Sequence, residues 1–366
     1  MTIQSMNLGR DEHKVKLEVR FQLVSCLPLA YPEFACRIMK EHIRWGILGT
    51  GRIANAFAEG LSVLTDAELK AVGSRNPKTA IAFAEKWQIA NRHASYESLA
   101  SDQEIDAVYI ATPHTEHASN TVMCLEAGKA VLCEKPMAVN AKQVRHMVDV
   151  ARTNKTLLME GMWSRFPPGM AKVRELVANG TLGKLRSLQA DFGFKAKNRD
   201  PKGRLLNMEL AGGSLLDIGI YPISLSSMLF GKPEEIVTTW HKGKTGVDEQ
   251  AAYIFRHPEG ALSIMHSSLE AQTSQETVIA GSEAQLKISR QCWRPQELIL
   301  TGNDESEECF SLPFSGNGFN YEAAAFMELM RNGKLESEVM PLDESISIME
   351  TLDKIRYQWG LRYPFE

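Results

Sequence analysis

At 366 residues, with 44% hydrophobic and 23% charged side chains, the chain is long enough for two domains sharing a cleft, because one domain runs to roughly 100–200 residues. Its net charge of −4 and the lack of any long Lys/Arg run or aromatic-basic stripe leave nothing to attract nucleic acid. The six cysteines (Cys26, Cys36, Cys124, Cys133, Cys292 and Cys309) show no Cys-x-x-Cys pair or zinc spacing, and no apolar run reaches the ~18 residues of a membrane span, so the composition reads as cytoplasmic, thiol-reduced and not membrane-bound.

Residues 1–42 read as an N-terminal extension. The mildly apolar stretch Phe21–Leu29 follows the mixed-charge run Arg10–Arg20, a poor signal peptide. Met39 directly precedes Lys40-Glu41 and the first convincing strand, so residues 1–38 are expected to be dispensable or to reflect an upstream start. A genuine presequence or an extra packing helix is the alternative.

From Ile43 short apolar runs alternate with helical periodicity, the pattern of a doubly wound parallel α/β sheet. The runs predict strands at Ile43–Leu48, Leu69–Gly73, Ala107–Ile110, Ala130–Cys133 and Thr156–Met159. Between them, helices are predicted at Ile53–Val63, Pro77–Trp87, His117–Ala127 and Ala141–Asn154, with Pro77 suited to a first turn. This organisation sets a Rossmann dinucleotide-binding domain at 43–162. A helix at Met170–Asn179 and a long strand at Leu185–Phe194 then open a second, α+β domain over 163–366. Its further strands are expected at Glu235–His241, Gln250–Phe255, Ala261–Leu269, Thr277–Ala280, Gln285–Ser289 and Leu298–Leu300, forming a largely antiparallel sheet. Helices at Tyr321–Arg331 and Asp343–Gly360 close the chain.

The string Ile47-Leu48-Gly49-Thr50-Gly51-Arg52-Ile53-Ala54 sets Gly-x-Gly-x-x-Ala between a strand and an amphipathic helix. The first glycine permits the tight turn, the second lets backbone approach a pyrophosphate, and Ala54 allows close helix–strand packing. An NAD site usually ends its second strand with a carboxylate for the ribose 2′-hydroxyl, about 20 residues on. Here Ser74 and Arg75 stand there, a hydroxyl and a guanidinium that suit a 2′-phosphate. NADP is therefore the expected cofactor, with NAD as the alternative if Arg75 is merely solvated.

Oxidising a carbinol also requires a group that moves the hydroxyl proton. No Tyr-x-x-x-Lys pair exists in the chain. Lys135 lies just past the strand Ala130–Cys133, at the edge where ligands sit in open α/β sheets, and Pro136 after it is a candidate cis proline that would aim the lysine into the cleft. Position alone does not separate this from a surface lysine. Asp217 and Tyr221 stand four apart, on one face if a helix begins near Ser214. Spacing alone favours the plainer reading, a helix-start charge and a core tyrosine.

Together GILGTGRIA, ATPHTEH at Ala111–His117, Glu134-Lys135-Pro136 and AGGSLLDIGIYPI at Ala211–Ile223 resemble the Gfo/Idh/MocA oxidoreductases, from Ile43 essentially to the C-terminus. Within that family the chain is most similar to the branch of dimeric dihydrodiol dehydrogenases and NADP-dependent D-xylose dehydrogenases, which shares VLCEKP, Trp-x-Arg-Phe at Trp163–Phe166 and LLDIGIY. The resemblance implies Tyr221 as general acid/base where many relatives carry histidine, with Lys135 lowering its pKa and Asp217 supporting the pair. It implies a cofactor lying along Gly49, Thr50, Gly51, Arg52, Ile53, Ser74, Arg75, Thr112, Pro113, His114, Glu134, Lys135 and Arg165. It places Trp163, Phe192, Asp217 and Tyr221 around the substrate. His114 and His117 lack a nearby third ligand, and the family motif accounts for both, so no metal is expected. The family also implies a homodimer paired through the outer face of the second sheet.

The expected activity is NADP(H)-dependent transfer of a hydride between nicotinamide and a CH–OH group of a sugar or cyclic diol. A glycoside hydrolase with a tightly held cofactor and a non-catalytic NADP(H) sensor are the alternatives.

Overall fold

A computed structural model describes residues 42–197 and 199–366; the expectations for the extension, with Cys26 and Cys36, lie outside the described residues. The first half runs β1 (Ile43–Leu48), α1 (Arg52–Leu61), β2 (Ala67–Gly73), α2 (Pro77–Trp87), β3 (Asn91–His93), α3 (Tyr96–Ala100), β4 (Ala107–Ile110), α4 (His117–Glu126), β5 (Ala130–Glu134), α5 (Ala141–Asn154) and β6 (Leu158–Gly161). Its strands pair in parallel in the order β3-β2-β1-β4-β5-β6. The order reverses between β1 and β4, which opens a crevice beyond their carboxyl ends. Parallel strands covered on both faces read as continuous apolar runs. In β4, Ala107 and Tyr109 pack into the core with Trp45 and Phe57, while Val108 and Ile110 join Leu48, Val131 and Cys133 on the other face.

The second half comprises α6 (Pro168–Ala178), β7 (Leu185–Gly193), α7 (Ile220–Phe230), β8 (Glu235–Lys242), β9 (Asp248–Arg256), β10 (Leu262–Ser268), β11 (Thr277–Gly281), β12 (Ala284–Ile288), β13 (Glu297–Gly302), β14 (Glu307–Ser311), α8 (Phe319–Arg331) and α9 (Leu342–Trp359). Its eight strands order as β14-β13-β12-β11-β7-β10-β9-β8, antiparallel except for β7 beside β10. The inner face carries Leu188, Tyr253, Phe255, Met265 and Ile279 into the core. The outer face leaves Val237, Ile254, Leu262 and Ile264 exposed.

The structure corrects the sequence reading in four places. β3 and α3 are too short, at three and five residues, to show a periodicity, and β14 is too polar. The last parallel strand begins at Leu158 rather than Thr156, where the chain leaves the left-handed cap at Lys155. The stretch Met208–Phe230 is long and apolar enough to cross a membrane by composition, although 72% of its most apolar 18-residue window is buried inside the fold. Finally, the partition at 163 is not clean, because α8 returns to the first sheet: Phe319, Ala323 and Phe326 share a core with Ile43, Trp45 and Phe57.

Candidate active site

The glycine turn follows β1 at the crevice. Gly49 has φ +104°, and a Cβ there would stand 2.6 Å from the carbonyl oxygen of Ala111 in the loop after β4. At Gly51 nothing lies within 4 Å of a Cβ position, and α1 begins there with no side chain capping its N–H groups. Ala54 is fully buried against the sheet. The cradle is thus open, rich in free donors and at the positive end of a helix dipole, which fits a dinucleotide pyrophosphate. Thr50, Arg52 and Ile53 line the same turn, with Arg52 exposed.

At the end of β2 the two candidate 2′-phosphate residues part company. Ser74 is buried; its hydroxyl hydrogen-bonds Thr79 Oγ1 at 2.9 Å and accepts from the Asn76 N–H, so it braces the loop rather than facing a ligand. Arg75 projects outward, 63% exposed, with its guanidinium 5.6 Å from the Tyr96 ring and 3.8 Å from Glu116. After β4, Thr112 Oγ1 accepts from Asn120 at 3.1 Å, Pro113 is exposed and His114 is half-buried. Burial, reinforced by His117, pushes His114 down to about 3, so it is a neutral imidazole. His117 is occupied between the carbonyl oxygens of Thr112 and Pro136.

After β5, Lys135 precedes Pro136 through a cis peptide. Its ammonium donates to the main-chain oxygen of Asp217 at 2.6 Å, stands 3.6 Å from the Asp217 carboxylate and lies 4.8 Å from the centre of the Tyr221 ring. Asp217 sits in a π-helical turn, Leu215–Gly219, that runs into α7 and carries Tyr221 alongside. The structure therefore brings Lys135, Asp217 and Tyr221 together. Burial opposes the Asp217 carboxylate, but Lys135 and Arg204 outweigh it and hold its pKa well below the usual range. Burial likewise opposes the Lys135 ammonium, yet Tyr221 and Asp217 raise its pKa overall.

For Tyr221 the balance runs opposite to expectation. Burial raises its pKa more than Lys135 lowers it, so the net shift is upward. Burial is the largest cause, and the neighbouring carboxylates of Glu134 and Asp217 add to it. Trp163 Nε1 donates to the Tyr221 hydroxyl at 2.9 Å, and the indole stacks on Phe319 with centroids 4.9 Å apart. Phe192 lies 5.3 Å from Tyr221 and stacks face to face on Trp293 at 3.7 Å. Phe192, Tyr221 and Trp293, with Met170, Ala190 and Leu225, line a small cleft beside the phenol.

Two residues assigned to the cofactor are committed elsewhere. The Arg165 side chain is 2% exposed and gives its donors to Ser224, the carbonyl of Val339 and Glu344, the last at 2.8 Å. It ties the segment after β6 to α7 and α9. Glu134 is also buried; its carboxylate accepts from the Tyr109 hydroxyl and the Lys135 N–H, so it braces the lysine from behind. Burial raises the pKa of Glu134, and burial together with Glu134 raises that of Glu322 far more. Sequence reasoning missed Glu322, whose two oxygens have no hydrogen-bond partner. It also missed Trp293 and Arg204; the latter reaches from the 194–207 loop to pair with Asp217 at 2.7 Å. A basic residue thirteen positions before Asp217 carries no spacing signal. Among the described residues one group of metal-type donors, His241, Glu249 and Glu270, lies outside this site, and Glu249 is ion-paired to Arg199.

A glycine cradle at the switch point of a parallel sheet, with Lys135 at the end of β5 in the same sheet and Asp217 and Tyr221 brought to it from the second half of the chain, fits a nicotinamide-nucleotide-dependent oxidoreductase. The family profile described as an oxidoreductase family with an NAD-binding Rossmann fold matches residues 43–162, and the C-terminal domain profile of the same family matches residues 170–287. The chain belongs to the Gfo/Idh/MocA oxidoreductase family. It is 38% identical over 335 residues to the trans-1,2-dihydrobenzene-1,2-diol dehydrogenase of Bos taurus, covering 88% of this chain and 98% of that one. The Mus musculus enzyme of the same name is 39% identical over 334 residues, with the same coverage. A 3-ketoreductase from Actinomadura kijaniata, solved with NADP and TDP-benzene, superposes with a TM-score of 0.77 at 26% identity, covering 86% of this chain and 97% of that one. The aldose-aldose oxidoreductase of Caulobacter crescentus has the same fold, with a TM-score of 0.79 at 23% identity over 87% of this chain and 98% of that one.

Arg165 as a strut and Arg165 as a cofactor ligand separate cleanly. Arg165→Met should lower unfolding stability by about 3 kcal/mol, because Glu344 loses its buried partner, and leave the NADP(H) dissociation constant within about twofold. Urea unfolding and cofactor fluorescence titration measure the two; a tenfold loss of affinity at unchanged stability would return the residue to the cofactor site.

Proposed function

We propose that the chain is an NADP(H)-dependent dehydrogenase acting on a secondary or anomeric CH–OH group of a sugar or cyclic diol. The observation that carries the reading is the Lys135 ammonium set over Tyr221 and against Asp217, in the same chain as an open glycine cradle at the end of β1. The relatives named above, acting on a dihydrodiol or solved with NADP, support it. When bound, the nicotinamide supplies the two-electron exchange. The chain's own residues then handle one proton and one oxygen. Tyr221 takes the hydroxyl proton in oxidation and returns it in reduction. Lys135 has donors beyond the one spent on Asp217 and holds the same oxygen, while Asp217 keeps the lysine charged and in place. Trp163 fixes the phenol from the side, and the stacked Phe192 and Trp293 give the substrate ring an apolar wall. Arg75 is the exposed cation at the 2′-phosphate position, whereas Ser74 acts through the loop.

The outer face of the second sheet supports a homodimer. Val237, Ile254 and Ile264 lie in register on adjacent strands and are 56%, 46% and 46% exposed, an apolar patch of the kind that pairs across a two-fold axis. All four described cysteines are free, three of them buried, which suits a reducing, cytoplasmic compartment.

Four outcomes are expected. Tyr221→Phe should cut turnover by ~10²–10⁴-fold in both directions with cofactor affinity nearly unchanged. Because the phenol's pKa lies above its ordinary value of about 10, the protonated form dominates at neutral pH. Oxidation in the wild type should therefore accelerate with pH up to and beyond about 10, while reduction, which uses the protonated phenol, should slow only once pH passes about 10, in steady-state profiles. A panel of aldoses, cyclic polyols and trans-dihydrodiols names the substrate; retained turnover in Tyr221→Phe would sink the assignment. Arg75→Ala should raise KM for NADP about tenfold or more and leave KM for NAD nearly unchanged, through loss of a charge-assisted contact. Equal effects on both cofactors would remove Arg75 from the 2′-phosphate. In sedimentation at micromolar concentration the wild type should run as a dimer and Ile264→Asp as a monomer; a monomeric wild type refutes the pairing.

A further inference from the structure

Behind the helix that carries Asp217 and Tyr221 lies a polar cluster that the proposed chemistry does not use. Asp248, at the start of β9, is fully buried. Its Oδ2 accepts the N–H of Leu215 at 2.6 Å and the hydroxyl of Ser214 at 2.7 Å. Ser214 Oγ also lies 2.9 Å from Ser267 Oγ on β10, and Ser267 Oγ lies 2.7 Å from the hydroxyl of Tyr253 on β9. The hydroxyl of Tyr363, near the C-terminus, donates to the carbonyl of Gly212 at 3.1 Å. Side chains from three separate segments thus converge on the first turn of one helix.

The glycines of the AGGSLLDIG string record how closely they converge. A Cβ at Gly213, where φ is +124°, would stand 2.0 Å from Asp248 Oδ1, and a Cβ at Gly219 would stand 2.8 Å from the Tyr253 hydroxyl. Leu215–Gly219 is a π-helical turn, and such turns leave the regular ladder and need outside partners for their backbone groups. Asp248 supplies one from a different strand, since no side chain of the turn itself caps it.

We propose that Asp248 is the positioning residue of the site: by accepting the Leu215 N–H and the Ser214 hydroxyl, it fixes the π turn that sets Asp217 and Tyr221 against Lys135. The inference rests on the reading of Tyr221 as the acid/base. Among the described residues, no cation is paired with the carboxyl. Its surroundings are Ser214, Ser267, Tyr253 and Tyr363, and burial pushes it up to about 7. What it supplies to the turn is therefore acceptor geometry, which an asparagine oxygen can also supply.

Asp248→Ala should lower kcat about tenfold to a hundredfold, the scale set by a small misplacement of reacting groups. The NADP(H) dissociation constant should stay within about twofold, because the glycine cradle lies on the other sheet. Asp248→Asn should restore most of the lost turnover; a general packing defect predicts no such rescue. Cofactor fluorescence titration, steady-state kinetics and circular dichroism melting read these out. Asp248→Ala with kcat within about twofold of wild type, or Asp248→Asn as slow as Asp248→Ala, overturns the proposal. If Asp248→Ala does not fold, Ser267→Ala and Asp248→Asn decide. Ser267→Ala should slow kcat about threefold with cofactor affinity kept, and wild-type turnover in Ser267→Ala overturns the proposal. Tyr221→Phe, run alongside, separates the two failures. If it retains turnover the acid/base reading falls; if it is inactive while Asp248→Ala is fast, only the positioning role falls.

Discussion

The ammonium of Lys135 is the point at which the two sheets are joined chemically. It stands at the end of β5, yet it donates to the main-chain oxygen of Asp217, on the helix that packs against the other sheet. A buried ammonium costs several kcal/mol unless it is paired and hydrogen-bonded, so the lysine holds the cleft walls at one separation. Arg204 pairs with Asp217 from the outside, which leaves two cations around one carboxylate and a small positive excess where a substrate oxygen would lie. Lys135 and Asp217 are each shifted toward their charged forms. Tyr221 alone of the three is shifted toward neutrality. On the proposed reading the site divides its labour: fixed charges orient, and one phenol carries the proton.

The same division appears behind the site. In front, charge sets the field; behind α7, hydroxyls and a carboxyl near neutrality set position. Beneath β4 and β5, Tyr109, Glu134 and Glu322 form a third buried polar group in which burial favours protonated carboxyls.

What was legible in the sequence was whatever repeats with a short period or lies within one contiguous string. The parallel strands, the glycine turn and the helices α2 and α5 fall within these limits, and the observed bounds of α2 and α5 match the pattern. Lys135, Asp217 and Tyr221 came from strings whose meaning depended on a family resemblance, since spacing alone favoured the plainer reading for the last two. Contacts between distant segments were not legible. Arg165 and Glu134 looked like ligands because they border the right motifs, and only the fold shows that Glu344, Ser224 and Tyr109 had already claimed them. Arg204, Trp293, Asp248 and Glu322 were invisible for the matching reason: each acquires its role from a partner far along the chain. Ser74 lies between these cases, placed correctly but turned inward by Thr79 only five residues away.

The return of α8 to the first sheet also bears on how such a protein can diversify. Phe319 and Phe326 belong to the core of the nucleotide-binding half, although the chain has by then completed the whole second sheet. The second half is therefore an insertion, threaded between β6 and α8, and no single cut separates a complete first half from the rest. Exchange of whole modules with another protein would need two coordinated junctions. Change confined to the inserted loops needs none, so new specificities are most readily acquired in segments such as 194–207, from which Arg204 already reaches the reacting centre.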